Sequence, residues 1–165
     1  MSVNRPRYRT AAALLGGLVL AATLTGCGAI RDMLPLPAPQ PERDETTQEI
    51  VEQGDADVFA LRVGDCLTMV QGAEVETVPV VPCSEPHSDE VFFDFELGGG
   101  DFPGDEAIAQ AAEEGCVAEF PAFVGLAWEE STLDIGWYSP TSESWSNGDR
   151  VITCTIYDPA GDVTG

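Results

Sequence analysis

Apolar and polar side chains alternate most clearly in residues 90–97, where Val91, Phe93, Phe95 and Leu97 fall on one side and Glu90, Asp94 and Glu96 on the other. A period of two marks a strand with one buried face. The period then lengthens. After Pro103-Gly104, Asp105 and Glu106 suit the positive end of a helix dipole, and Ile108, Ala112, Cys116 and Phe120 recur every four residues. Gln110, Glu113 and Glu114 face away, and Pro121 is expected to end this helix. Asn147-Gly148 signals a turn, and residues 150–157 follow as a strand in which Ile152, Cys154 and Ile156 share a face. Residues 61–70, 75–81 and 133–138 read as further short strands, with Pro79 making the second an edge or bulged strand. About five strands and one helix predict an α+β domain, a small, mostly antiparallel sheet with the helix packed on one face.

The apolar run near the start is of another kind. It has 14 residues, from Ala11 to Leu24, and follows Arg5, Arg7 and Arg9. A bilayer span needs roughly 20 apolar residues, whereas a basic front, a short apolar middle and small residues make a secretory signal. Leu24-Thr25-Gly26-Cys27 resembles the lipobox of bacterial lipoproteins. That resemblance implies a signal peptide over residues 1–26, a lipidated Cys27 and an address on the extracytoplasmic face of the cell membrane. Residues 27–57 are expected to form a disordered, proline-rich and acidic stalk. Pro35, Pro37, Pro39 and Pro41 favour polyproline II, and few large apolar side chains are present to offset the cost of ordering. The folded domain is then expected over residues 58–165, enough for one small unit.

Charge narrows the partners. The chain carries 29 acidic residues and seven arginines, a net charge of −22. All the acids lie beyond Cys27, where the arginines are Arg31, Arg43, Arg62 and Arg150. Such a domain cannot assemble the basic patch that phosphate binding requires, which excludes nucleic acid. It is also repelled by anionic lipid, so the acyl chains on Cys27 must supply the membrane contact.

With Cys27 lipidated, Cys66, Cys83, Cys116 and Cys154 remain as an even set in an oxidising compartment, which predicts two disulfides. No C-x-x-C pair points to zinc. The expected pairing is Cys66 with Cys83, flanking neighbouring strands, and Cys116 with Cys154, on inward faces of the helix and the last strand. Cys66 with Cys116 and Cys83 with Cys154 is the rival, because alternation does not reveal which strands are neighbours.

Several landmarks occur in order: Val63-Gly64-Asp65-Cys66-Leu67; Val80-Val81-Pro82-Cys83-Ser84-Glu85-Pro86-His87 with Glu90-Val91; Phe102-Pro103 before the helix bearing Cys116; and Trp145-Ser146-Asn147-Gly148-Asp149-Arg150 ahead of Cys154. Together they resemble the septum formation domain of actinobacterial surface proteins, over about residues 61–157. The resemblance implies a cell-envelope and division setting. It brings no catalytic residues with it.

Candidate chemistry centres on His87, the single histidine, beside Asp89 and Glu90. An imidazole with two carboxylates could ligate a metal or serve as acid and base, but H-x-x-E lacks the second histidine of H-E-x-x-H. The plainer reading is that His87 bonds the backbone of the turn after Cys83. No G-x-S-x-G elbow or calcium-loop pattern is present, and paired cysteines leave no nucleophilic thiol. No catalytic residue, metal or cofactor is assigned. Trp137 and Trp145 are candidate binding residues, since tryptophan is favoured at interfaces, and Trp145 is expected to be the most exposed of the aromatic group. The leading function is a non-enzymatic, membrane-anchored lipoprotein whose domain binds another envelope component, protein or glycan. The alternative is a small envelope enzyme or metal-dependent factor centred on His87.

Overall fold

The computed structural model describes residues 38–72 and 74–165. The expected signal peptide and Cys27 lie outside these residues. The strands are β1 (Gly54–Asp57), β2 (Cys66–Leu67), β3 (Thr77–Val81), β4 (Asp89–Glu96), β5 (Asp134–Tyr138) and β6 (Val151–Tyr157). The helices are α1 (Asp105–Val124) and the short α2 (Ser142–Ser146). All six strands join one antiparallel sheet in the order β1-β3-β2-β4-β6-β5. The fold is α+β, with one main helix and two disulfides.

Two apolar clusters lie on opposite faces of this sheet. On one face α1 buries Ala112, Cys116 and Phe120, spaced four residues apart, against Ile152, Cys154 and Ile156 of β6. Fully burying a side chain the size of Phe120 is worth about 2–3 kcal/mol. The disulfide from Cys116 to Cys154 runs through this layer. The second cluster joins Ala56, Leu67, Val78, Val80 and Val91, and Tyr138 on the far edge strand packs against it, so the sheet is curled. Cys66 and Cys83 close the other disulfide beside it.

Several sequence expectations change. The stalk does not run to Asp57. Residues from Ala38 onward belong to the folded unit, and β1 pairs with β3 from Gly54–Val80 to Asp57–Thr77. Ile50 is buried, and the Arg43 guanidinium grips Asp65 through two bonds of 2.5 and 2.6 Å. The buried Asp65 carboxylate also accepts the Arg62 backbone N–H at 2.8 Å. One distant ion pair and one apolar side chain fix a segment whose own composition reads as unfolded.

Pro79 lies in β3, an interior strand and not an edge. Its carbonyl accepts from the Thr68 N–H at 3.0 Å, but with no N–H to return, the ladder with β2 stops at Leu67. A bulge at Phe92 also breaks the alternation of β4, so that Val91 pairs with Thr155 while Phe93 pairs with Cys154. Opposed residues share a face. Val91 therefore joins the cluster away from the helix, and Phe92 packs edge-on against Phe120.

Pro121 does not end α1. The helix runs on to Val124 and is closed by Gly125 at φ 83°, whose N–H bonds to the Pro121 carbonyl. A proline in the last turn removes one ladder bond, and the left-handed glycine supplies the actual stop. Asn147-Gly148 forms the expected turn, in which Asn147 is the C-cap of α2.

Candidate functional site

The imidazole of His87 is 1% exposed. Its Nδ1 lies 2.8 Å from the Glu85 carbonyl, which assigns it the ring proton, and its buried Nε2 has no partner among the described residues. The His87 backbone exchanges hydrogen bonds with Val163 in both directions, at 3.1 and 2.9 Å. His87 thus serves the turn after Cys83 and ties down the C-terminal segment, in line with the plainer reading. Asp89 and Glu90 are consecutive in β4 and point to opposite faces, so the three groups do not converge. Among the described residues no cluster of metal-ligating side chains is present.

Trp145, expected to be exposed, is 6% exposed. The Thr141 capping box starts α2 and turns this indole inward. Its N–H donates to the Gly100 carbonyl at 3.0 Å, Phe102 meets it edge-on, and the Arg150 guanidinium lies 3.7 Å from the ring centre. It is a structural residue. Trp137 is half-buried on β5, packed toward the helix-side cluster and reaching the rim of a groove.

That groove, of about 870 Å³, lies on the sheet face opposite α1. β4, β5 and β6 form its floor, to which Asp89, Asp94, Thr153 and Tyr157 belong. The loop after β2 supplies Met69 and Val70 on one side, and the segment around α2 supplies Ser144 and Asp149 on the other. The Tyr138 hydroxyl accepts the Val70 N–H at 3.1 Å, which pins that loop to the edge strand.

At the floor, Asp89 is 3% exposed. It accepts hydrogen bonds from Ser88 Oγ at 2.7 Å and Thr155 Oγ1 at 3.0 Å. Burial pushes its pKa up, against the opposing pull of these two hydroxyls and of His87. Glu90 is also raised by burial. Tyr138 and Tyr157 are raised, mainly by burial and further by the nearby carboxylates Asp89 and Asp134, so both stay neutral. Gly136 faces this floor: a Cβ there would fall 2.8 Å from Thr155 Oγ1 and 3.0 Å from the Met69 methyl. Its missing side chain lets Thr155 and Met69 close over Asp89.

Sequence reasoning missed Tyr157, Thr153, Thr155 and Gly136. The available signal was the second side of β6, where threonines and a tyrosine alternate with the buried apolar residues.

A disulfide-stapled, curled α+β sheet with a groove on its helix-free face defines the class of domain. A family model described as Septum formation matches residues 39–164, and the chain belongs to this family. Membership associates the domain with septum formation in cell division. No curated protein matches the chain, and no solved structure does.

Proposed function

We propose that this protein is a non-enzymatic surface lipoprotein of the septum formation family, held on the extracytoplasmic face of the cell membrane through acyl chains on Cys27. Its domain binds another envelope component, protein or glycan, in the groove opposite α1. The groove itself carries this reading: a concavity of about 870 Å³ with aromatic and hydroxyl side chains on its wall is the size of a ligand site. The geometry around it favours holding over reacting. The Ser88 hydroxyl is spent on Asp89, and the His87 ring bonds the Glu85 carbonyl in place of Ser88. A photo-crosslinking residue at position 151, on the groove wall, should give a defined adduct in intact dividing cells. The same residue at position 113, on the exposed side of α1, should give none. Equal adducts from both positions, or none from either, would remove the groove as the binding site.

A further inference from the structure

The groove is lined by hydroxyls and carboxylates, and among the described residues the carboxylates are its charged groups. Asp89 and Asp94 come from β4 and Asp149 from the turn before β6, while Gln71 and Trp137 carry the side-chain N–H groups among the described lining residues. Among the described residues no arginine or histidine lines it. The three arginines among the described residues are committed elsewhere: Arg43 to Asp65, Arg62 to Gln48 and Arg150 to Trp145. Asp89 and Asp149 have their oxygens occupied by hydroxyl and backbone donors. Asp94 is exposed and holds no side-chain hydrogen bond or ion pair among the described residues. The groove therefore presents carboxylates with no counter-charge of their own.

This chemistry selects its ligand. A neutral glycan would meet the hydroxyls but leaves the charge uncompensated, and an anion is repelled. An ammonium or guanidinium brings three or five donors and no acceptor. Val58, Phe59, Met69 and Tyr138 line the same groove and suit the aliphatic stem of lysine or arginine and a cation against a ring. The groove adjoins β5, an edge strand paired only with β6, so main-chain groups are available to an added extended segment.

We propose that the groove takes an extended peptide segment of an envelope protein bearing lysine or arginine, its cationic heads against Asp94 and Asp149 and its backbone beside β5. This rests on the groove being the binding site.

Calorimetry with the purified full chain tests it with three probes: a capped alternating Lys-Ala hexapeptide, its Glu-Ala counterpart, and an N-acetylglucosamine trimer. The lysine peptide should bind, weaken about tenfold between low and about 0.5 M salt, and lose threefold to fivefold in Asp94→Asn. Glu113→Gln, which removes an exposed charge on α1, should leave binding unchanged, and the glutamate peptide should not bind. Equal losses in Asp94→Asn and Glu113→Gln would show unspecific attraction to an acidic surface and overturn the proposal. Glycan binding that Val151→Trp abolishes, without lysine-peptide binding, would overturn it while leaving the groove as the binding site. Silence from all three probes in the folded chain would count against both.

Discussion

Two buried aspartates show opposite solutions to the same cost. Asp65 is 2% exposed and is neutralised by a two-pronged arginine, the arrangement in which a buried carboxylate is best tolerated. Asp89 is 3% exposed and has only hydroxyl partners, so burial raises its proton affinity. Because its folded pKa exceeds the unfolded one, the folded state holds the proton over the window between the two values. Stability is therefore lost as pH rises through that window. Asp89→Asn keeps both hydroxyl partners without the charge. We expect a higher Tm than wild type at pH 7 and an advantage that disappears below about pH 4, where the carboxyl is protonated in both states. Thermal melts across pH check this, and a variant less stable at every pH would show that the ionised form is the one the fold prefers.

Helix α1 is fastened to the sheet at two places of different kinds. The disulfide from Cys116 to Cys154 is fully buried, and Gly115 one residue earlier lets the ring of Phe95 lie directly on the helix backbone. The other disulfide, Cys66 to Cys83, closes a 17-residue separation against 38 for the helix staple. In the chain-entropy account these are worth about 3 and about 4 kcal/mol. Cys154→Ser should therefore lower Tm more than Cys83→Ser, by a further few degrees, and opening a buried core site adds to the difference. Scanning calorimetry of the two variants decides the ranking, and a larger loss from Cys83→Ser would mean that the sheet is held mainly at its β2–β3 corner.

Where periodicity was unbroken, the elements were legible. Ile108, Ala112, Cys116 and Phe120 face the core as their spacing implies, and so do Ile152, Cys154 and Ile156, which also placed the helix disulfide. What escaped was set by partners remote in sequence. β1 is held by pairing with β3, the segment before it by Asp65, and Trp145 is buried by Gly100, Phe102 and Arg150. The bulge at Phe92 adds one residue to a pattern that otherwise reads as a regular strand. The groove was invisible for a related reason: Asp89, Thr153 and Tyr157 read singly as solvated strand positions, and only the curl of the sheet brings them into one groove.

At the level of the molecule, charge and attachment are coupled. The described residues carry 28 carboxylate side chains against three arginines, so the domain gains nothing from an anionic bilayer surface and is repelled by it. In the proposed arrangement, attachment would depend wholly on acyl chains at Cys27. Cys27→Ser should abolish palmitate labelling and shift the protein from the membrane fraction to the soluble one, or leave a longer unprocessed precursor. Unchanged labelling or retention of a processed form would remove the anchor.

Because residues from Ala38 onward belong to the folded unit, only ten residues separate Cys27 from it. Extended chain advances at most about 3.5 Å per residue. A domain anchored at Cys27 is therefore leashed within about 40 Å of the bilayer, whereas a spacer running to Asp57 would have allowed about 100 Å. For a domain so anchored, the grip of Arg43 and the pairing of β1 set the height at which a partner would be met, and the cationic segments proposed as ligands would have to lie close to the membrane.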